Sequence, residues 1–155
     1  TGYTSKAKRT LVSSATREGQ QLVTVTLNAP DDWHDSMALM DYGYQQYPLR
    51  TLVDEKDVVR ELAEQGLRVT PEHSFTYPLT EEELSAIEKE VDIPGELPPG
   101  LKAGISVGEV LITLDGEKIG SVPLITKDEN GKDAPTLLLE RWVTLLSPLW
   151  SETVP

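Results

Sequence analysis

Among the side chains of this 155-residue sequence that could do chemistry, hydroxyls are plentiful and bases near them are scarce. Thr1 is the sharpest candidate, because an N-terminal threonine can attack a carbonyl with its own α-amine as the base. Such a hydrolase needs a complete fold around its first residue and a basic partner, and only Lys6 and Lys8 lie near it in sequence. Ser5, Ser13, Ser14 and Ser36 read as polar surface or packing residues rather than nucleophiles. Cys is absent, which removes a thiol nucleophile, a disulfide framework and any Cys-type zinc site. The two histidines, His34 and His73, stand apart, so neither a metal nor a cofactor is expected.

The net charge of −12 argues against nucleic-acid binding, which needs a basic surface to neutralise phosphates. The charge is uneven. Before Asp31 the chain carries Lys6, Lys8, Arg9 and Arg17 against Glu18. That segment reads either as a locally positive surface for an anionic ligand or as a solvated basic turn.

The elements that must position these groups are legible from the pattern. Residues 11–16 and 22–27 are β-branched and apolar runs around Arg17-Glu18-Gly19-Gln20, which predicts a hairpin with glycine in the turn. In the second run Val23, Val25 and Leu27 alternate with Thr24 and Thr26, so one face is expected to be buried and the other mixed. Asp31 or Asp32 can cap a helix in which Trp33, Met37, Met40 and Tyr44 share a stripe, with Gly43 as a stop near its end. Strand, strand, helix fits the last elements of a larger α/β domain. A piece of that size buries too little surface to offset its chain entropy alone.

From Leu49 onward the pattern changes to short runs at 51–53, 58–62, 67–69 and 75–79, separated by Asp, Gly and Pro. Asp115-Gly116 lies between two alternating runs and predicts a two-residue hairpin, since both turn positions want positive φ. Evenly spaced short strands predict a small all-β sandwich. Thr80-Glu-Glu-Glu83 has the form of a capping box, but Ile87, Lys89, Val91 and Ile93 alternate, so a short turn followed by a strand is expected.

The runs TGYTSKA, LVSSATREGQQLVTVTLNAP and DDWHDSMALMDYGY together resemble the end of the penicillin-binding domain of low-molecular-weight D-alanyl-D-alanine carboxypeptidases. The second half is similar to the β-rich C-terminal domain of the same enzymes, through Val91-Asp-Ile-Pro94, Gly104-Ile-Ser-Val-Gly108, Leu114-Asp-Gly116 and Val122-Pro-Leu124 in that order. The expected fold is α+β: residues 1–46 as the end of a peptidase domain, 47–126 as a β-sandwich, and 127–155 as a linker with an amphipathic segment.

The resemblance implies a bacterial cell-envelope enzyme, acting outside the cytoplasm, that trims the terminal D-Ala from peptidoglycan stem peptides by serine acyl transfer and is trapped by β-lactams. It implies that Thr1 and Gly2 close a Lys-Thr-Gly motif, and that the nucleophilic Ser and both motif lysines lie in an N-terminal part outside this chain. This chain alone is therefore expected to be inactive. Thr1 would offer its hydroxyl to the substrate carboxylate, Gly2 would let the peptide backbone approach, and Tyr3 would give a main-chain N–H to the oxyanion hole. Some members hold the carboxylate with an Arg at the helix start. Here Asp31-Asp-Trp-His-Asp35 stands there, leaving His34 as an anion contact or as a structural residue.

Leu138, Trp142, Leu145 and Leu149 fall on one helical stripe, which either lies on a membrane surface, packs on protein or stays disordered. Two further readings stand beside the carboxypeptidase: a non-catalytic β-sandwich spacer or binding module, and the N-terminal threonine hydrolase.

Overall fold

The computed structural model describes residues 2–128, 130 and 131. Thr1 and the stripe of Leu138, Trp142, Leu145 and Leu149 lie outside the described residues. The chain divides into two compact units, one of Thr1–Arg50 with Thr76–Ala86, the other of Thr51–Phe75 with the residues from Ile87 onward.

In the first unit, β1 (Gly2–Thr4), β2 (Lys8–Arg17) and β3 (Gln20–Leu27) form an antiparallel sheet in that order. The β2–β3 turn puts Glu18 and Gly19 at φ 50° and 85°, the paired positive φ values of a tight hairpin. Helix α1 (Asp32–Gln46) follows and lies on one face of this sheet.

Which face it covers corrects the alternation read from the sequence. Gln20 and Thr26 are buried and Leu22 and Thr24 half-buried, whereas Val23, Val25 and Leu27 are 64%, 56% and 70% exposed. Val12, paired with Val25 across the strands, is 63% exposed on the same side. The helix stripe is corrected with it. Trp33 and Met37 are exposed, and the buried residues of α1 are Asp32, Ser36 and Met40. Polar pairing decides this: the Thr24 and Ser36 hydroxyls are 2.6 Å apart, Gln20 Nε2 donates to Tyr47 O at 2.8 Å, and Tyr44 Oη donates to Ala15 O at 2.7 Å. Gly43 is no stop. A Cβ there would meet Leu22 Cδ1 at 2.8 Å, so glycine lets the helix approach β3, and the helix closes later with Tyr47 N–H on Gly43 O.

The same unit holds α2 (Glu81–Ser85), where a turn is expected from the sequence. The capping box is complete: Glu83 N–H donates to Thr80 Oγ1 at 3.2 Å and Thr80 N–H donates to the Glu83 carboxylate at 2.8 Å. Reciprocal capping satisfies two donors and stabilises a single helical turn before the chain turns into a strand.

The second unit is built on a five-stranded antiparallel sheet in the order β5 (Arg60–Leu62), β6 (Leu67–Pro71), β10 (Glu117–Asp128), β9 (Ser106–Leu114), β8 (Ile87–Asp92). A separate two-stranded ribbon pairs β4 (Leu49–Val53) with β7 (Phe75–Pro78), whose residues are divided between the two units. Phe75 lies over Gly120 of β10, and Lys89 Nζ donates to Leu52 O at 2.6 Å. Val69, Val110, Ile112, Val122 and Leu124 form the core of this unit, all 4% exposed or less. Asp115 and Gly116 take φ values of 51° and 79° in the β9–β10 hairpin, as the sequence predicts. Buried Thr126 ties the 100–105 loop down, donating to Lys102 O at 2.6 Å and accepting Ile105 N–H at 3.0 Å.

Candidate functional site

Among the described residues strand β1 is one of the two edges of its sheet, so part of its backbone N–H and C=O groups face away from β2, where an extended peptide can pair. Gly2 stands opposite Thr10 and Tyr3 opposite Arg9. Thr10 Oγ1 donates to Gly2 O at 3.2 Å, which fixes the start of the strand. An open cavity of about 400 Å³ lies here, lined by Gly2, Tyr3, Arg9 and Asp32.

Arg9 and Asp32, read from the sequence only as part of a basic segment and as a possible helix cap, are brought together here. Arg9 Nη2 donates to Asp32 Oδ1 at 3.0 Å; the Asp32 side chain is 5% exposed and that of Arg9 51%. Asp32 Oδ1 also accepts Trp33 N–H at 3.1 Å, so the helix start and a strand cation hold the same carboxylate. A guanidinium has five donors, and this pair leaves others for an anion in the cavity. The signal was the hairpin register, which places residue 9 across from residue 3. His34 is exposed on α1 and is not among the residues lining this cavity. Tyr3 is 69% exposed.

The arrangement predicts a measurable cost for removing the buried charge. Asp32→Asn should lower the stability of the chain by about 1–2 kcal/mol, less than a fully buried pair because Arg9 is half in water. Urea unfolding of the two proteins checks it, and Arg9→Gln should cost less than Asp32→Asn.

The serines need one correction. Ser5 stands three residues before Lys8, the spacing of a serine–lysine nucleophile motif, which the sequence reading overlooked. Ser5 sits in the exposed β1–β2 turn, and Lys8 opens β2 at φ 59°. A nucleophile motif of this kind relies on a helix to bring i and i+3 onto one face, and this turn does not supply one. Ser13, Ser14 and Ser36 line a second cavity of about 400 Å³ with Arg17, Met40 and Tyr44, where Arg17 stacks 4.5 Å above the Tyr44 ring and pairs with Asp41 at 3.3 Å. Among the described residues no group of His, Asp and Glu is arranged to hold a metal, and no helix is long and apolar enough to cross a membrane.

The family described as penicillin-binding protein 5, C-terminal domain, matches residues 48–132, more than half of the chain. The D-alanyl-D-alanine carboxypeptidase DacF of Bacillus subtilis (strain 168) is 22% identical over 150 residues, which are 91% of this chain and 39% of that protein. Among solved structures, the D-alanyl-D-alanine carboxypeptidase DacD from Francisella tularensis aligns with a TM-score of 0.53 at 23% identity, over 82% of this chain and 34% of its own. Penicillin-binding protein 5 from Haemophilus influenzae aligns at 0.54 and 21%, over 82% and 40%. The chain thus spans about two fifths of the curated relative's length, and the structural likeness shows the fold.

Proposed function

Because the chain belongs to the family of the penicillin-binding protein 5 C-terminal domain, we propose that it is the C-terminal part of a serine-type D-alanyl-D-alanine carboxypeptidase working on peptidoglycan stem peptides in the bacterial cell envelope. In this reading the nucleophilic serine and its lysine come from polypeptide outside the sequence given. The serine attacks the carbonyl between two D-alanines, the terminal D-Ala leaves, and water hydrolyses the acyl-enzyme. A β-lactam forms the same kind of ester and stays.

The observation that carries the reading is the uncovered apolar face of the hairpin: Val12, Val23, Val25 and Leu27 stand side by side in solvent on the side of the sheet away from α1. A soluble protein rarely leaves such a patch unless it is covered by a partner surface, and the occupant proposed is the rest of the peptidase domain. β1 would then form one wall of the peptide cleft. Thr1 and Arg9 would meet the substrate carboxylate, Gly2 would admit its backbone, and the Tyr3 N–H would face the developing oxyanion, worth about 3 kcal/mol of barrier. The second unit would serve as a spacer or binding module.

The experiment is covalent labelling with a fluorescent penicillin. A protein of residues 1–155 alone should take no label and release no D-Ala, while a longer protein that carries this chain after a peptidase domain should do both. Labelling of the 155-residue chain overturns the proposal.

A further inference from the structure

We propose that the second unit carries a binding site for a phosphate group, in a cavity of about 330 Å³ between the β4–β5 loop and the β6–β10 strand pair. Its lining is Glu55, Lys56, Arg68, Thr70, Lys127 and Gly131. Three cations line it in a protein of net charge −12, with Glu55 the one carboxylate among the described lining residues.

The placement of the cations is specific. Arg68 and Lys127 are direct cross-strand partners, so two cations stand side by side on one face of the sheet. On β5, Glu61 is the cross-strand partner of Arg68. The loop that delivers Lys56 is pinned by its own acids. Asp54 Oδ1 accepts Lys56 N–H at 3.0 Å, Asp57 Oδ2 accepts Asp54 N–H at 3.4 Å, and Glu55 N–H donates to Ser74 Oγ at 3.1 Å. Two carboxylates of this loop thus turn to backbone while its cation lines the cavity.

Thr70 supplies the second, independent observation. It is 3% exposed, it lines the cavity, and its hydroxyl has no hydrogen-bond partner among the described residues. A buried hydroxyl without a partner costs stability, and it sits two residues from Arg68 on the same face of β6. A phosphate oxygen accepts from a hydroxyl, a guanidinium and an ammonium at once, and each charge-assisted bond is stronger than a neutral one. A tetrahedral oxyanion therefore suits the unpartnered Thr70 hydroxyl and the cations that line the cavity better than a neutral ligand does.

The test is a titration of the 155-residue chain with inorganic phosphate, followed by amide shifts in NMR, with chloride holding the ionic strength constant. Saturable shifts confined to residues around 54–57, 68–70 and 127 are expected. Lys127→Gln should weaken binding about tenfold and Thr70→Val about fivefold, each removing one donor. Thr70→Val keeps the side-chain shape and should melt at the same temperature or higher, so a loss of binding there is not a loss of folding. Shifts that never saturate, that chloride reproduces, or that both variants retain overturn the proposal. Vesicles of phosphatidylglycerol separate the sources: binding that Lys127→Gln weakens identifies a lipid headgroup, and phosphate binding without it identifies a soluble phosphate.

Discussion

Replacing Val12 by Lys together with Val25 by Glu should leave the 155-residue chain as stable as before, and should abolish folding of a peptidase domain built on the same hairpin. The two valines are direct cross-strand partners on the face away from α1, and both are more than half exposed. In the chain alone the change is a surface substitution, expected to fall within about 0.5 kcal/mol, with the new opposite charges facing each other across the strands. Under the rest of a peptidase domain the same pair would be buried against apolar side chains. Desolvating two ionised groups there costs several kcal/mol, enough to consume most of a domain's net stability. Urea unfolding of the short chain and penicillin labelling of the long one give the two numbers. A long protein that labels normally with both substitutions would show that nothing covers this face.

The same hairpin explains how far the sequence could be read. Turn chemistry carries its message locally: Glu18-Gly19 and Asp115-Gly116 adopt positive φ in both hairpins, and both were legible. Strand positions in the second half were legible too, because Gly, Pro and Asp punctuate β4 to β7. Sidedness was not. Val23, Val25 and Leu27 look like a core face, and in isolation that inference is sound; here α1 covers the Thr24 and Thr26 side, because Ser36, Gln20 and Tyr44 find hydrogen-bond partners there. Hydrophobic alternation says which residues share a face and leaves open which protein covers it. α2 was missed for a related reason. Its capping box is complete at Thr80 and Glu83, yet the alternation from Ile87 dominated the window.

The candidate site was half visible. Gly2 and Tyr3 could be placed on a strand from the resemblance, and the structure puts them beside an open cavity. Arg9 could not be, because its importance lies in register: a two-strand pairing sets it across from Tyr3, and a buried carboxylate 23 residues on fixes its direction. Neither relation leaves a mark in composition.

Gly108→Ala is expected to be the most damaging single-methyl change in the second unit. A Cβ at Gly108 would lie 2.1 Å from the carbonyl oxygen of Asp92 and 3.0 Å from Ile93 Cγ1. The first of these is backbone, so no rotamer change relieves it; β8 and β9 must separate where Val91 pairs with Val110 and Asp92 with Glu109. Overpacking of this kind costs about 1–3 kcal/mol, and loss of the adjoining ladder bonds pushes the expectation to the top of that range or beyond. Gly120→Ala meets the Phe75 ring at 2.5 Å, and a ring can tilt, so its cost should be smaller. Gly95→Ala meets nothing within 4 Å and should be neutral or stabilising by a few tenths of a kcal/mol through the unfolded chain. The order of the three urea midpoints, Gly108→Ala lowest and Gly95→Ala highest, is the result to look for. A Gly108→Ala protein as stable as the parent would mean that the end of β8 does not lie against β9 as described.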